Sequence, residues 1–266
     1  MGIYMERDEV RRQDLLQLAR AQVVTTRELA KIFGTSPPHA AKLAFDLKKK
    51  GFLTRVQRGV YASVPLDTDP RGFHPDPFLA VHKALGGGYI FSHQSALTLL
   101  GGEQTVRTTV DVSAPGARSR RRDLGSFVVH VHGVPVGALK DATTRVRRGG
   151  ATLKVTSPEQ TLVDLASLPN PVQDYEADLE AFRTLLPRAD LKKLLAVLSV
   201  TKSIATLARV GHLLRVNARA SLEMTDVLRS IRNSLVHAGP VYFATRPRDP
   251  SNRFDHEFKL VYPGGH

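Results

Sequence analysis

Cysteine is absent from all 266 residues. That excludes a disulfide scaffold and any thiolate metal site, and it fits a reducing compartment. Long apolar runs are absent too. The greasiest stretch, LLAVLSV at 194–200, is far short of the roughly 20 residues a bilayer-spanning helix needs. The opening MGIYMERDEVRR has no apolar segment for a secretory signal, and Glu6 breaks the myristoylation pattern. A cytoplasmic protein with no membrane partner is the expectation. Nucleotide signatures are missing as well. GGGY at 86–89 has neither the Lys-Ser/Thr of a P-loop nor the spacing of a dinucleotide fingerprint, and no kinase signature set appears. Negative charge is scarce: 25 Asp+Glu against 38 Lys+Arg leaves a net charge of +13. A surplus of that size points to a polyanion, nucleic acid ahead of anionic membrane. It is densest in residues 1–66, with 12 Lys/Arg against 6 Asp/Glu.

What is present begins with GTSPPHAAKLAFDLKKK at 34–50. Proline lacks an N–H, and the first turn of a helix has N–H groups to spare, so Pro37 and Pro38 mark a helix start. Ser36 is the expected N-cap, its hydroxyl accepting from a first-turn N–H. Gly34 closes the preceding helix, which TTRELAKIF opens with a capping box of Thr25 and Glu28. Upstream, DEVRRQDLLQLARA predicts a first helix burying Leu15, Leu18 and Ala19. The last two helices read as a helix-turn-helix with the recognition helix at 37–50. Ala40, Leu43, Ala44 and Leu47 follow helical spacing and should pack inward; Ser36, Pro38, His39, Lys42 and Lys49 should face out. FLTRVQRGVYASV then predicts a hairpin with Gly59 in the turn.

The expected fold is α+β: a winged helix-turn-helix over residues 1–66, a proline-rich linker over 67–77, and a larger mixed α/β domain with a helix-rich flank over 78–266. Candidate contacts to double-stranded operator DNA are Ser36, His39, Lys42 and Lys49 on the helix, with Arg55 and Arg58 on the wing. Lys48, Lys49 and Lys50 also complement the helix dipole. A predicted turn carrying Arg118, Arg120, Arg121 and Arg122 is a possible second basic contact; a solvated charge run and a dock for an acidic partner stay open beside it. TSPEQTLVDLASL predicts a helix capped by Ser157, with Gln160 completing a capping box.

Catalytic patterns are thin. RNSLVH places Arg232 and His237 at a ribonuclease-like spacing, and DHEFK places Glu257 and Lys259 as in the tail of a nuclease core whose partner would be Asp249 or Asp111. His130 and His132 share a strand face, but no third ligand is evident. No cofactor, no metal and no catalysis are expected.

The ordered set of YIFSHQSALTLLG, SPEQTLVDLA, LARVGHLLR and NRFDHEFKLVYPG, behind a winged helix ending in RGVYAS, resembles the AbiEi-type antitoxins of type IV toxin–antitoxin systems. The resemblance implies a bacterial protein whose N-terminal domain represses its own operon. Its C-terminal domain would counter a nucleotidyltransferase toxin, directly or indirectly. The residues alone leave two other readings open: a nuclease targeted by a winged helix, and a metabolite-sensing regulator.

Overall fold

A computed structural model of the chain describes residues 12–65, 67–101, 108–167, 175–217, 219, 221–243 and 251–264. Its architecture is mixed α+β. The N-terminal part runs α1 (Arg12–Ala21), β1 (Val23–Thr25), α2 (Thr26–Ile32), α3 (Pro37–Lys49), β2 (Leu53–Gln57) and β3 (Val60–Ser63). The Thr25–Glu28 capping box forms at the mouth of α2. The strands make an antiparallel sheet in the order β1-β3-β2, closed by a turn in which Gly59 sits at φ 79°. Leu18, Leu29, Ala40, Ala44, Leu47 and Leu53 form the core between helices and sheet. Ala19, expected inside, is exposed: Leu18 takes the inward position and the next residue, a 100° step on, turns outward.

The middle part carries α4 (Pro77–Leu85), β4 (Ile90–Phe91), α5 (His93–Leu99), β5 (Thr109–Pro115), β6 (Arg120–Leu124), β7 (Phe127–Val134), β8 (Thr143–Arg148) and β9 (Ala151–Thr156). Its six strands form one mixed sheet in the order β6-β7-β5-β4-β9-β8. α4 repeats the proline-start rule, with Pro77 in its first turn and the Asp76 carboxylate accepting from the N–H groups of Phe78 and Leu79. The C-terminal part is a helical layer of α6 (Pro158–Ser167), α7 (Tyr175–Leu185), α8 (Leu191–Ser199), α9 (Ile204–Asn217) and α10 (Leu222–Ser234). It ends in β10 (Val241–Tyr242), β11 (Arg253–Asp255) and β12 (Leu260–Tyr262).

Pro65 to Asp76 forms neither helix nor strand where described, yet the parts on either side of it share a core. Val23, Val56, Val60 and Ala62 from the N-terminal sheet pack in one cluster with Phe78, Leu79, Phe91, Val129 and Leu153. Three polar links reinforce that contact: Glu28 of the capping box pairs with Lys83 on α4, Gln57 Nε2 donates to the Ala84 carbonyl at 2.8 Å, and Arg122 Nη2 donates to Gln57 Oε1 at 2.9 Å. Burial opposes ionisation of Glu28, but Lys83 and the Thr25 N–H outweigh it and hold the carboxyl below its usual range.

Ser157 caps α6, accepting from Gln160 N, but the capping box does not close. The Ser157 N–H is already taken by the Ala142 carbonyl, and the Gln160 amide turns to Asp164 instead. α9 is buried along Thr206–Leu214, and Gly211 permits this. A Cβ there would lie 2.3 Å from the Phe258 ring. Gly211→Ala is therefore expected to destabilise the protein by about 1–3 kcal/mol through overpacking, measured as a lowered urea midpoint with an unchanged m-value.

Candidate nucleic-acid interface

α3 divides cleanly into an inner and an outer face. Ala40, Ala44 and Leu47 are buried and Leu43 is half-buried beside them. Pro38, His39, Ala41, Lys42, Phe45, Lys48 and Lys49 are exposed. Thirteen residues give a rod about 20 Å long, a size the major groove accommodates.

At its mouth the expected cap is replaced by another bond. Ser36 is the N-cap residue but makes no side-chain cap bond. Pro37 and Pro38 have removed two of the first-turn N–H groups, and the Ser36 hydroxyl instead meets His39 Nδ1 at 2.7 Å. The pair leaves both side chains exposed at the positive end of the helix dipole.

The hairpin adds two exposed cations, Arg55 and Arg58. Arg55 lies opposite Tyr61 in the β2–β3 ladder, and Tyr61 packs on the helical core. Cross-strand partners share a face, so Arg55 faces the helices. The other face of the hairpin, with Val56, Val60 and Ala62, lies against the middle sheet. Arg58 occupies the exposed turn beside Gly59, whose carbonyl accepts from Thr26 N at 2.9 Å and holds the turn against α2. Among the described residues, Lys42, Lys48, Lys49, Arg55 and Arg58 have no carboxylate partner.

The stretch 118–122 differs from expectation. It was predicted as one turn, but Arg120, Arg121 and Arg122 belong to the edge strand β6, paired to β7. Charged side chains on an edge strand block stray strand pairing, which accounts for arginines in a β position. Alternation then separates them. Arg122 points to the hairpin and holds Gln57. Arg120 shares that face and is exposed, whereas Arg121 lies on the opposite face, 3.5 Å from Asp123. Arg118 is exposed in the turn before the strand.

The nuclease-like patterns meet partners of a different kind. Arg232 pairs with Glu257 at 3.3 Å, joining one residue of each pattern in a single ion pair. His237 is exposed beyond the end of α10. Asp249 lies outside the described residues.

His130 and His132 share a face with Asp111 and Ser113, because β5 and β7 run parallel in register. Asp111 Oδ1 meets His132 Nε2 at 2.9 Å and His130 Nδ1 at 3.8 Å. The His132 ring stacks on His93, centroids 3.9 Å apart. His93 opens α5 in the left-handed region at φ 52°. Its Nδ1 meets Ser92 Oγ at 2.9 Å, and Ser113 Oγ donates to the same hydroxyl. Burial, reinforced by His132, lowers the His93 pKa to about 3. These groups satisfy one another. Among the described residues no three His, Asp or Glu side chains are arranged to hold a metal ion.

Two exposed residues of the α3 face, Ala41 and Phe45, are not among those expected from the sequence. Phe45 is 65% exposed, although its spacing, three after Lys42 and four before Lys49, places it on the outer stripe. Helical periodicity could have found it.

No protein-family model matches the chain, and no curated protein matches it in sequence. Among solved structures, the RV2827C protein from Mycobacterium tuberculosis is similar, with a TM-score of 0.66 and 21% identity over 94% of this chain and 90% of that one. An identity that low carries the fold alone. The chain shares a mixed α+β architecture, along nearly its whole length, with a mycobacterial protein.

Proposed function

We propose that the N-terminal part is a winged helix-turn-helix that binds double-stranded DNA, with α3 in the major groove and the β2–β3 hairpin as the wing. The observation that carries this reading is the outer face of α3: a solvent-open stripe of lysines with no carboxylate partner among the described residues, beside a hairpin whose Arg55 and Arg58 are also exposed. A helix mouth with Ser36 and His39 suits phosphates and base edges; Lys42, Lys49, Arg55 and Arg58 suit the backbone. Arg120, on the face of β6 that meets the hairpin, extends the contact, whereas Arg118 lies in the turn at the far end of that strand. Arg122 is engaged in holding the wing and Arg121 faces away.

In this reading the chain is a cytoplasmic autorepressor and antitoxin that counters a nucleotidyltransferase toxin. The ordered motifs that resemble AbiEi-type antitoxins support that part. The chain acts by binding and not by catalysis, a view to which the Arg232–Glu257 pair lends support by engaging one residue of each nuclease-like pattern. Where a nucleotidyltransferase is encoded beside its gene, co-expression is expected to restore growth that the toxin alone arrests. Continued arrest would reject the antitoxin role.

DNA binding is tested on the promoter duplex of the chain's own gene. Lys42→Ala and Arg58→Ala are each expected to weaken binding and to reduce the salt slope by about 0.9, the value of one phosphate contact. Arg121→Ala should leave both unchanged. Slopes in Lys42→Ala and Arg58→Ala equal to that of the parent protein would reject the groove assignment.

A further inference from the structure

The proposed DNA face contains one large apolar residue, which counterion release does not explain. Phe45 is the ninth residue of the 13-residue α3 and is 65% exposed. Lys42 lies three residues before it and Lys48 and Lys49 three and four after, so cations flank the ring along the helix. Ala41, one turn earlier, is exposed as well and too small to cover the ring. Its inward neighbours, Ala44 and Leu47, complete the core without it.

An exposed ring among lysines needs a partner that is anionic at the rim and apolar at the centre. A second copy meeting through this face about a two-fold axis would set the same lysines against each other. The major groove has the required pattern: phosphates along both edges and, among the base edges, one apolar group, the C5-methyl of thymine.

We propose that Phe45 is a specificity-determining contact of α3, packing on the C5-methyl of a thymine in the operator. The proposal rests on the DNA-binding reading above and adds what the helix reads. Lysines set affinity without regard to sequence, whereas the ring selects a base.

The experiment uses the full chain and the promoter duplex, with each thymine in the footprint replaced in turn by deoxyuridine. That exchange removes the methyl and keeps every hydrogen-bonding group. The parent protein is expected to lose about three- to tenfold in affinity at one or two positions, as for burial of one or two methyl-sized groups. Phe45→Ala should bind more weakly and become indifferent to those same positions while keeping the parent salt slope. Phe45→Leu, which retains an apolar side chain, should keep part of the deoxyuridine penalty. Unfolding midpoints of both variants should match the parent, since the ring lies outside the core.

If the parent protein binds but no deoxyuridine position matters, or if Phe45→Ala keeps the full penalty, the thymine contact is wrong and the DNA-binding reading stands. If the parent binds no promoter duplex, both fall together. Self-association of the free protein that Phe45→Ala abolishes would overturn the proposal in favour of a second copy.

Discussion

Asp255→Ala is expected to lower the unfolding free energy by about 3–5 kcal/mol, the cost of leaving the buried His212 N–H and two backbone N–H groups without their acceptor. The carboxylate lies in β11, 4% exposed. Its Oδ2 meets His212 Nδ1 at 2.7 Å and accepts from Arg215 Nη2 at 2.8 Å. Its Oδ1 accepts from the N–H groups of Glu257 and Phe258 at 3.0 and 3.3 Å. A carboxylate only accepts, so His212 Nδ1 carries the hydrogen. On the other side His212 Nε2 meets the Tyr175 hydroxyl at 2.8 Å. Burial, with Tyr262 nearby, raises the Tyr175 pKa to about 12, so that hydroxyl keeps its proton and can donate. The arrangement ties α7, α9 and the terminal strands together through the helical core.

The pH dependence of this site has a definite sign. Burial by itself would raise the Asp255 pKa, but the His212 bond, Arg215 and the Phe258 N–H outweigh it and hold the value below normal. A depressed folded pKa contributes stability above the unfolded value of about 3.9, lost as pH falls through the folded value. The difference between parent and Asp255→Ala should therefore be full near neutrality and shrink below about pH 4. Urea unfolding at several pH values measures it. Equal midpoints at pH 7 would show that the clamp contributes nothing.

Asp164→Asn is expected to do the reverse and stabilise the protein at alkaline pH. Asp164 is buried in α6, with Oδ1 accepting from Gln160 at 2.8 Å. Burial raises its pKa to about 7, against the smaller opposing effects of the Gln160 bond, His132, the His93 N–H and Thr156. The sign follows from linkage: with the folded pKa raised, the stability contribution is complete below about pH 4 and is lost as pH rises to about 7. An asparagine cannot ionise. The variant should exceed the parent by about 2–4 kcal/mol at pH 8 and lose that advantage near pH 4.

His93 works in the opposite direction. Its pKa is lowered to about 3, so protonation of the unfolded chain removes stability as pH falls below about 6.5. In the parent the two slopes oppose each other across mildly acidic pH. In Asp164→Asn the His93 slope acts alone, so stability should fall steadily on acidification. A pH profile parallel to that of the parent would contradict the assignment of Asp164.

The features that could be read in the letters are those whose partners lie within one turn. Thr25 and Glu28 are three residues apart and make the capping box they spell. Pro37 and Pro38 start a helix because their missing N–H groups cost nothing there. Gly59 accepts the positive φ that the hairpin turn demands. The exposed stripe of α3 follows from periodicity, and the same rule extends to Phe45. Even at this range a competing partner can win, as when His39 takes the Ser36 hydroxyl and Asp164 takes the Gln160 amide.

Net charge, helix starts and the outward stripe of α3 were determined by the amino-acid order itself, because they depend on composition and on bonds closed within about four residues. Which cations stay free was decided only by tertiary structure. Arg122 is held by Gln57, 65 residues away in the chain, Arg148 by Asp76, 72 away, and Arg215 by Asp255, 40 away. Lys42, Arg55 and Arg58 have no such partner among the described residues. Sequence spacing carries no record of these encounters. They arise when sheets and helices pack apolar faces together and bring distant charges within hydrogen-bond range, and what that packing leaves unpaired at the surface is available to a polyanion.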